Sequence, residues 1–206
     1  MLAGCSTRPP VNETVSFYRV QLVCPAAPQI GCGSAAKPLL LELEGLPGIA
    51  EAWLNRAGTI IALVRESRTR VTRPSIAVGG TSYTSPKLQP LSGSALAKAR
   101  ADFLLRTNWY RAASVDRLSE QEAEIIAARL IHRIQSTTPL PKDTAATLHR
   151  LIAETTARRF IDPENNPREK LEAATRSRAK ELLNEQQFAA LEQAYAAGLR
   201  PLPNEP

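Results

Sequence analysis

The stretch that decides the fold is residues 48–64, Gly-Ile-Ala-Glu-Ala-Trp-Leu-Asn-Arg-Ala-Gly-Thr-Ile-Ile-Ala-Leu-Val. It contains two short apolar runs, residues 49–55 and 59–64, which are separated by Arg56-Ala57-Gly58. Two such runs joined by three residues that include a glycine predict a β-hairpin. The segments on either side of this hairpin are assigned relative to it.

The segments around the hairpin add strands and helices in a regular order. Residues 14–23 are rich in β-branched and aromatic side chains and predict a strand. Ser34 is a plausible N-cap, and leucines at helical spacing follow it up to residue 46, which predicts a helix. Residues 92–106 predict a second helix and residues 108–115 a last strand. The order is that of a ferredoxin-like βαββαβ domain in an α+β protein.

Only helical patterns follow residue 117. Ser119 and Glu122 have the spacing of a capping box, and Asn184 has a similar position before a late helix. Glu120, Glu122 and Glu124 are then expected in a solvated first turn. The predicted organisation is residues 1–13 as a leader and tether, 14–116 as the α+β domain with an insertion at 65–91, 117–198 as an all-helical region, and 199–206 as a disordered tail.

The start of the chain resembles a bacterial lipoprotein. Leu2-Ala3-Gly4-Cys5 matches the lipobox of that class, and the polar, proline-containing residues after it resemble the usual tether. The resemblance implies that Cys5 carries a lipid and that the protein is periplasmic and anchored to a bacterial membrane. An oxidising compartment would also suit the remaining pair of cysteines, Cys24 and Cys32.

The N-terminal half resembles a heavy-metal-associated domain. Ile30-Gly31-Cys32-Gly33-Ser34-Ala35 precedes the first predicted helix, as the Cys-x-x-Cys loop of that family does, and Gly48-Ile49 follows Cys32 by roughly the family's 16 residues. Ala35 stands where the second cysteine is expected, so only Cys32 matches a family ligand. Cys24 lies eight residues earlier and is a substitute partner. The resemblance implies a site for Cu(I) or Hg(II) at Cys24 and Cys32, because soft ions favour thiolates at a helix start.

The residues themselves leave three states open for Cys24 and Cys32: a structural disulfide, a metal or redox site, or two unpaired thiols. The two histidines, His132 and His149, are expected to be ordinary surface or boundary residues. No phosphate-binding loop, nucleophile elbow or metal-hydrolase spacing occurs, which favours a protein that is not an enzyme.

Two functions follow from these patterns. The first is a structural or adaptor lipoprotein whose helical region binds an envelope protein. The alternative is a Cu- or Hg-binding or metal-sensing protein acting through Cys32 with Cys24. The net charge of +6, with Arg65, Arg68, Arg70 and Arg73 prominent, would suit an anionic membrane surface as a further partner. No nucleic-acid motif accompanies the basic residues, so nucleic acid is not an expected partner.

Overall fold

A computed structural model of the chain describes residues 14–65, 88–203 and 205. Within them the protein is a mixed α/β structure with a five-stranded antiparallel sheet and six helices. The lipobox with Cys5 and most of the expected insertion, including Arg68, Arg70 and Arg73, lie outside the described residues.

The elements follow one another in a simple order. They are β1 (Thr14–Arg19), α1 (Gly33–Glu44), β2 (Ile49–Asn55), β3 (Ile60–Arg65), β4 (Gln89–Pro90), α2 (Gly93–Leu105), β5 (Trp109–Tyr110), α3 (Asp116–Thr137), α4 (Lys142–Ile161), α5 (Arg168–Leu182) and α6 (Glu185–Ala196). The predicted hairpin is confirmed, since β2 and β3 pair antiparallel with Trp53 opposite Ala62. Gly58 has a φ of +70°, a conformation that favours glycine, in the turn between them.

The sheet has the strand order β4-β1-β3-β2-β5. Its arrangement differs from the expected βαββαβ order in two respects. The two-residue strand β4 precedes α2 and pairs with β1, and the strand that follows α2 pairs with the outer edge of β2. The N–H group of Arg56 donates to the carbonyl of Asn108 at 2.7 Å, which holds β5 at the hairpin side of the sheet.

Both faces of the sheet are covered. Ile61 and Leu63 of β3 lie in one hydrophobic cluster with α1, whereas Ala62 and Val64 lie in another with Ala99 and Phe103 of α2. The continuous apolar run of β3 therefore has a physical reason, because a strand buried on both faces has no position for a polar side chain. The two helices occupy opposite sides of the sheet, and α1 is on the side that carries the cysteine loop.

Helix α3 connects the sheet to the helical region. Its first turns pack against α1, with Leu118 in the sheet core, and its later turns pack against α4 and α6 in a second core. Lys37 of α1 and Asp116 of α3 form an ion pair at 2.7 Å. Helix α3 starts at Asp116, and its residues belong to both cores.

Two expectations for the helical region need correction. Helix α3 begins at Asp116 after Val115, which makes no side-chain cap, so the capping box at Ser119 is wrong; Ser119 and Glu122 are buried instead. The tail from Leu199 is not disordered where it is described, because Arg133 binds both carboxylate oxygens of Glu205 at 2.7 Å.

The capping box at Asn184 is confirmed. The Asn184 side chain accepts from the Gln187 N–H at 2.9 Å, and the Gln187 side chain accepts from the Asn184 N–H at 3.1 Å. No strand occurs among the described residues after β5. None of the helices in the described ranges combines the length and apolar character needed to cross a membrane.

Candidate functional site

The site begins with the segment that carries Cys32. The Cys32 N–H group donates to the Leu22 carbonyl at 2.6 Å, and Val23 and Gly31 form an isolated antiparallel bridge. The Gly31 N–H group donates to the Arg56 carbonyl in the β2–β3 turn at 2.7 Å. These bonds fix the backbone immediately before α1, so the position of the Cys32 sulfur does not depend on a free loop.

The glycines beside Cys32 are required by close packing. A Cβ atom at Gly31 would lie 2.8 Å from the Cα of Gly58, and one at Gly33 would lie 2.8 Å from the amide nitrogen of Ser119 and closer still to its Oγ. Real Cβ atoms do not approach backbone atoms so closely. The two glycines therefore let the segment lie against the hairpin turn on one side and against α3 on the other.

Cys32 is the N-cap residue of α1 and is partly exposed. Its Sγ lies 3.3 Å from the Ser34 Oγ. The neighbouring Cys24 side chain lowers the pKa of Cys32 to about 5, and the Ser34 hydroxyl and the N–H groups of Ser34 and Ala35 also lower it, against an opposing effect of burial. The lowered pKa favours the thiolate of Cys32, which is the reactive form of a cysteine.

Cys24 is buried beside it. Its Sγ donates a hydrogen bond to Oε1 of Glu122 at 2.8 Å, and the Ala26 N–H group donates to the same sulfur at 3.2 Å. The Cys32 side chain, burial and the carboxyl group of Glu122 all raise the pKa of Cys24. The raised pKa favours the protonated form of Cys24 and the lowered pKa favours the thiolate of Cys32, so the two side chains are chemically unlike.

Glu122 brings a carboxyl group into this interior from α3. The residue is only 3% exposed, and burial raises its pKa to about 7, with the nearby Cys32 sulfur adding to the rise. Its Oε2 atom has no hydrogen-bond partner among the described residues. A buried carboxyl that is half-ionised near neutral pH can take up or release a proton there.

The three groups open onto a cleft of about 720 Å³. Its far wall is built by α4, α5, α6 and the C-terminal segment, so the cleft lies between the cysteine loop and the helical region. The side chains that line it include four arginines, namely Arg159, Arg168, Arg176 and Arg200. The volume is that of a typical small-molecule site.

Arg129 of α3 holds the loop and the C-terminal segment together. One of its guanidinium nitrogens donates to the Ala26 carbonyl at 2.6 Å and to the Leu199 carbonyl at 2.9 Å. Arg129 is 7% exposed, and burial lowers its pKa from the usual arginine value. The positive charge nevertheless lies close enough to Cys24 to interact with it. The side chain fixes one rim of the cleft next to Cys24.

Cys24 and Cys32 line the same cleft, and neither is in a disulfide in this structure. Glu122 was missed, because the expected capping box placed it in solvent. No sequence signal pairs it with Cys24, which is 98 residues away. His132 and His149 do not meet in a site: His149 lies 3.5 Å from the carboxylate of Glu124, and His132 is exposed.

The donor set limits which metal could bind. Within the described residues there is no group of three or more His, Cys, Asp or Glu side chains arranged to hold an ion. Two thiols would fit only a soft ion that accepts two sulfur ligands, such as Cu(I) or Hg(II). Cys24 would have to give up its proton and its bond to Glu122 first.

Comparisons with known proteins give no family for this chain: no family model matches it, and no curated protein or solved structure is significantly similar to it.

Proposed function

We propose that the protein is a dithiol redox protein in which Cys32 and Cys24 exchange with disulfides. The observation that carries the proposal is the buried Cys24 thiol, which donates to the carboxyl group of Glu122 and interacts with the Cys32 side chain. Thiol–disulfide exchange needs an accessible thiolate to attack and a second thiol to resolve the intermediate. Cys32 and Cys24 fit these two roles.

In the first step the Cys32 thiolate attacks one sulfur of a substrate disulfide. The substrate S–S bond breaks, a mixed disulfide forms on Cys32, and the first substrate thiolate leaves with the electron pair of that bond. The leaving thiolate takes its proton from water. The hydrogen bonds that favour the Cys32 thiolate keep a nucleophile present at neutral pH.

In the second step Cys24 transfers its proton to Glu122 and attacks the Cys32 sulfur. A Cys24–Cys32 disulfide forms, and the second substrate thiolate leaves. Glu122 then passes this proton to the second substrate thiolate. Two electrons have moved from Cys32 and Cys24 to the substrate disulfide, and the two product thiols have taken one proton from Cys24 and one from water. Glu122 is suited to the transfer because the Cys24 thiol already donates to it at 2.8 Å.

Reduced protein and bis(2-hydroxyethyl) disulfide, a neutral substrate, test the proposal. A Cys5→Ser background leaves Cys24 and Cys32 as the two remaining thiols. Intact-mass measurement should find the loss of two hydrogens, Cys24→Ser should accumulate the mixed disulfide on Cys32, and Cys32→Ser should not react at a comparable rate. Equal reaction of the two single variants would contradict the assigned roles.

Soft-metal binding by the same thiols is the second candidate function, supported by the proximity of Cys24 and Cys32 and by the likeness of the loop to a heavy-metal-associated domain. Titration of the reduced protein with Cu(I) under a competing chelator separates the two functions. Tight binding that needs both cysteines, without exchange with disulfides, would favour the metal function. The strand order limits the ferredoxin-like likeness to β1, α1, β2 and β3.

The adaptor function is favoured by the replacement of the second family cysteine with Ala35. In this third candidate function, which we also propose, the chain is an envelope lipoprotein that is anchored through Cys5. Its helical region then binds another envelope protein or an anionic membrane surface. Under this proposal the double variant Cys24→Ser/Cys32→Ser would retain full function in cells. A loss of function in that variant, with normal protein levels, would exclude a purely structural role.

A further inference from the structure

The cleft beside the cysteines carries an excess of positive charge. Its lining includes four arginines and, apart from Glu122, two carboxyl side chains, Glu172 and Glu192. The pKa of Glu172 is lowered despite burial, because Arg168 and Arg176 lie against it, so this group stays charged. Glu122, the third carboxyl group at the cleft, is the buried one next to Cys24.

Two of the arginines are already paired. Arg168 contacts the Glu172 carboxylate at 2.5 Å, and Arg176 contacts Glu192 at 2.9 Å and Glu172 at 3.5 Å. The Arg176–Glu192 pair connects α5 to α6, whereas the contacts with Glu172 lie within α5. Arg168 and Arg176 therefore each have a carboxylate partner.

Arg159 and Arg200 differ from them. Neither forms an ion pair with a carboxylate in the part of the chain that the structure describes. The guanidinium of Arg159 lies 5.8 Å from the centre of the Phe160 ring, which leaves its donor nitrogens available, and the Arg200 side chain is exposed at the cleft. Guanidinium groups bind carboxylates through two parallel hydrogen bonds.

We infer that the cleft binds small disulfides that carry carboxylate groups, with Arg159 and Arg200 as the specificity-determining residues. The inference rests on the proposed redox function. A substrate bound in this way has its disulfide near Cys32 and its carboxylates at the arginine side of the cleft. The unpartnered Oε2 of Glu122, which is 97% buried at the inner end of the same cleft, marks the other end of the binding site.

The test compares three probes of different charge: oxidised glutathione, which is anionic, bis(2-hydroxyethyl) disulfide, which is neutral, and cystamine, which is cationic. The variant is Arg159→Gln/Arg200→Gln, and the control is Arg158→Gln/Arg178→Gln. The control removes the same charge from exposed positions on α4 and α5 outside the cleft. Second-order rate constants are measured for each probe at low ionic strength, where charge effects are least screened.

We expect the cleft variant to react roughly tenfold more slowly with oxidised glutathione, a change equivalent to about 1.4 kcal/mol. Its rate constant with the neutral disulfide should be unchanged, and its rate constant with cystamine should rise. The control variant should react with the three probes at the same relative rates as the wild-type protein. Equal rates in the cleft variant and the control would overturn the inference while leaving the redox function in place.

A binding measurement separates failure of the inference from failure of the redox function. Calorimetry uses oxidised glutathione and a Cys5→Ser/Cys24→Ser/Cys32→Ser protein, which has no thiol left to react. Binding that weakens about tenfold with Arg159→Gln/Arg200→Gln supports the carboxylate site even if exchange is never observed. Absence of binding to the unreactive protein, or binding that the arginine variant leaves unchanged, overturns the inference.

Discussion

The Sγ atom of Cys24 and the Oε1 atom of Glu122 lie 2.8 Å apart, although 98 residues separate them in the chain. The contact joins the loop before α1 to the second turn of α3 and places a thiol and a carboxyl group together in the interior. Buried carboxyl groups are rare unless a partner stabilises them. The consequences of this contact can be measured.

The first prediction concerns the stability of the Glu122→Gln variant. The pKa of Glu122 is about 7 in the folded protein against 4.5 as the ordinary value, so the folded state holds its proton more tightly than the unfolded state. Ionisation therefore destabilises the fold as pH rises from about 4.5 to about 7. Relative to wild type, Glu122→Gln should gain about 3 kcal/mol in unfolding free energy between pH 4 and pH 8.

Urea unfolding at both pH values under reducing conditions measures this difference. Glu120→Gln is the matched control, because Glu120 is exposed on the same helix and should leave the pH dependence of stability unchanged. A Glu122→Gln protein whose stability runs parallel to wild type from pH 4 to pH 8 would contradict the raised pKa of Glu122.

The second prediction concerns the reactivity of Cys32. Because its pKa is about 5, alkylation by iodoacetamide should already be close to its maximal rate at pH 6.5, where an ordinary thiol is almost fully protonated. The rate profile of Cys24→Ser should shift to higher pH, since the Cys24 side chain is the largest cause of the lowered pKa of Cys32.

Peptide mapping after brief alkylation identifies the modified residue in a Cys5→Ser background. Cys24 should be modified far more slowly than Cys32, because Cys24 is only 1% exposed and its pKa is raised. Preferential modification of Cys24 would show that the roles of the two thiols have been assigned in the wrong order.

The third prediction concerns the packing around Gly33. Gly33→Ala should destabilise the protein by about 1–3 kcal/mol, because its Cβ would lie 2.8 Å from the Ser119 amide nitrogen and 2.9 Å from the Val115 carbonyl oxygen. Gly45→Ala, at the other end of α1, meets nothing closer than 3.4 Å and should be tolerated. Thermal unfolding compares the two, and equal melting temperatures would argue against close α1–α3 packing.

The fourth prediction concerns the C-terminal segment. Glu205→Gln should cost about 2 kcal/mol, because it leaves the buried Arg133 without its carboxylate. The pKa of Glu205 is lowered to about 2, first by its hydrogen bond with Arg133, so its contribution to stability is present above about pH 4.5 and lost as pH falls toward 2. Denaturant unfolding at pH 7 and pH 3 measures the loss. Glu181→Gln, at an exposed position on α5, is the control and should change neither value.

Local patterns in the sequence predicted the local structure well. The hairpin of β2 and β3 and the capping box at Asn184 depend on residues that are close in the chain, and both are confirmed. The start of α3 was misplaced because Ser119 and Glu122 have the spacing of a cap but face the interior. Spacing alone does not distinguish a solvated first turn from a second turn that packs on another helix.

The site depends on contacts that no local pattern contains. Cys32 was predicted from its place before a helix, and Cys24 from its nearness in the sequence. The carboxyl group of Glu122 and the arginines of the cleft come from α3 to α6 and the C-terminal segment. The position of β5 beside β2 likewise depends on the bond between Arg56 and Asn108, which short-range periodicity does not encode.

The contact between Gly31 and Gly58 has a consequence for how such sequences can change over time. Each glycine occupies the space that a side chain on the other would need, so a substitution at either position requires the two backbone segments to separate. Both positions should therefore be restricted together among descendants of a common ancestor, even though Gly58 does not line the cleft. If residue 58 is always glycine among such sequences, the reason would be its packing against Gly31 rather than a chemical role of its own.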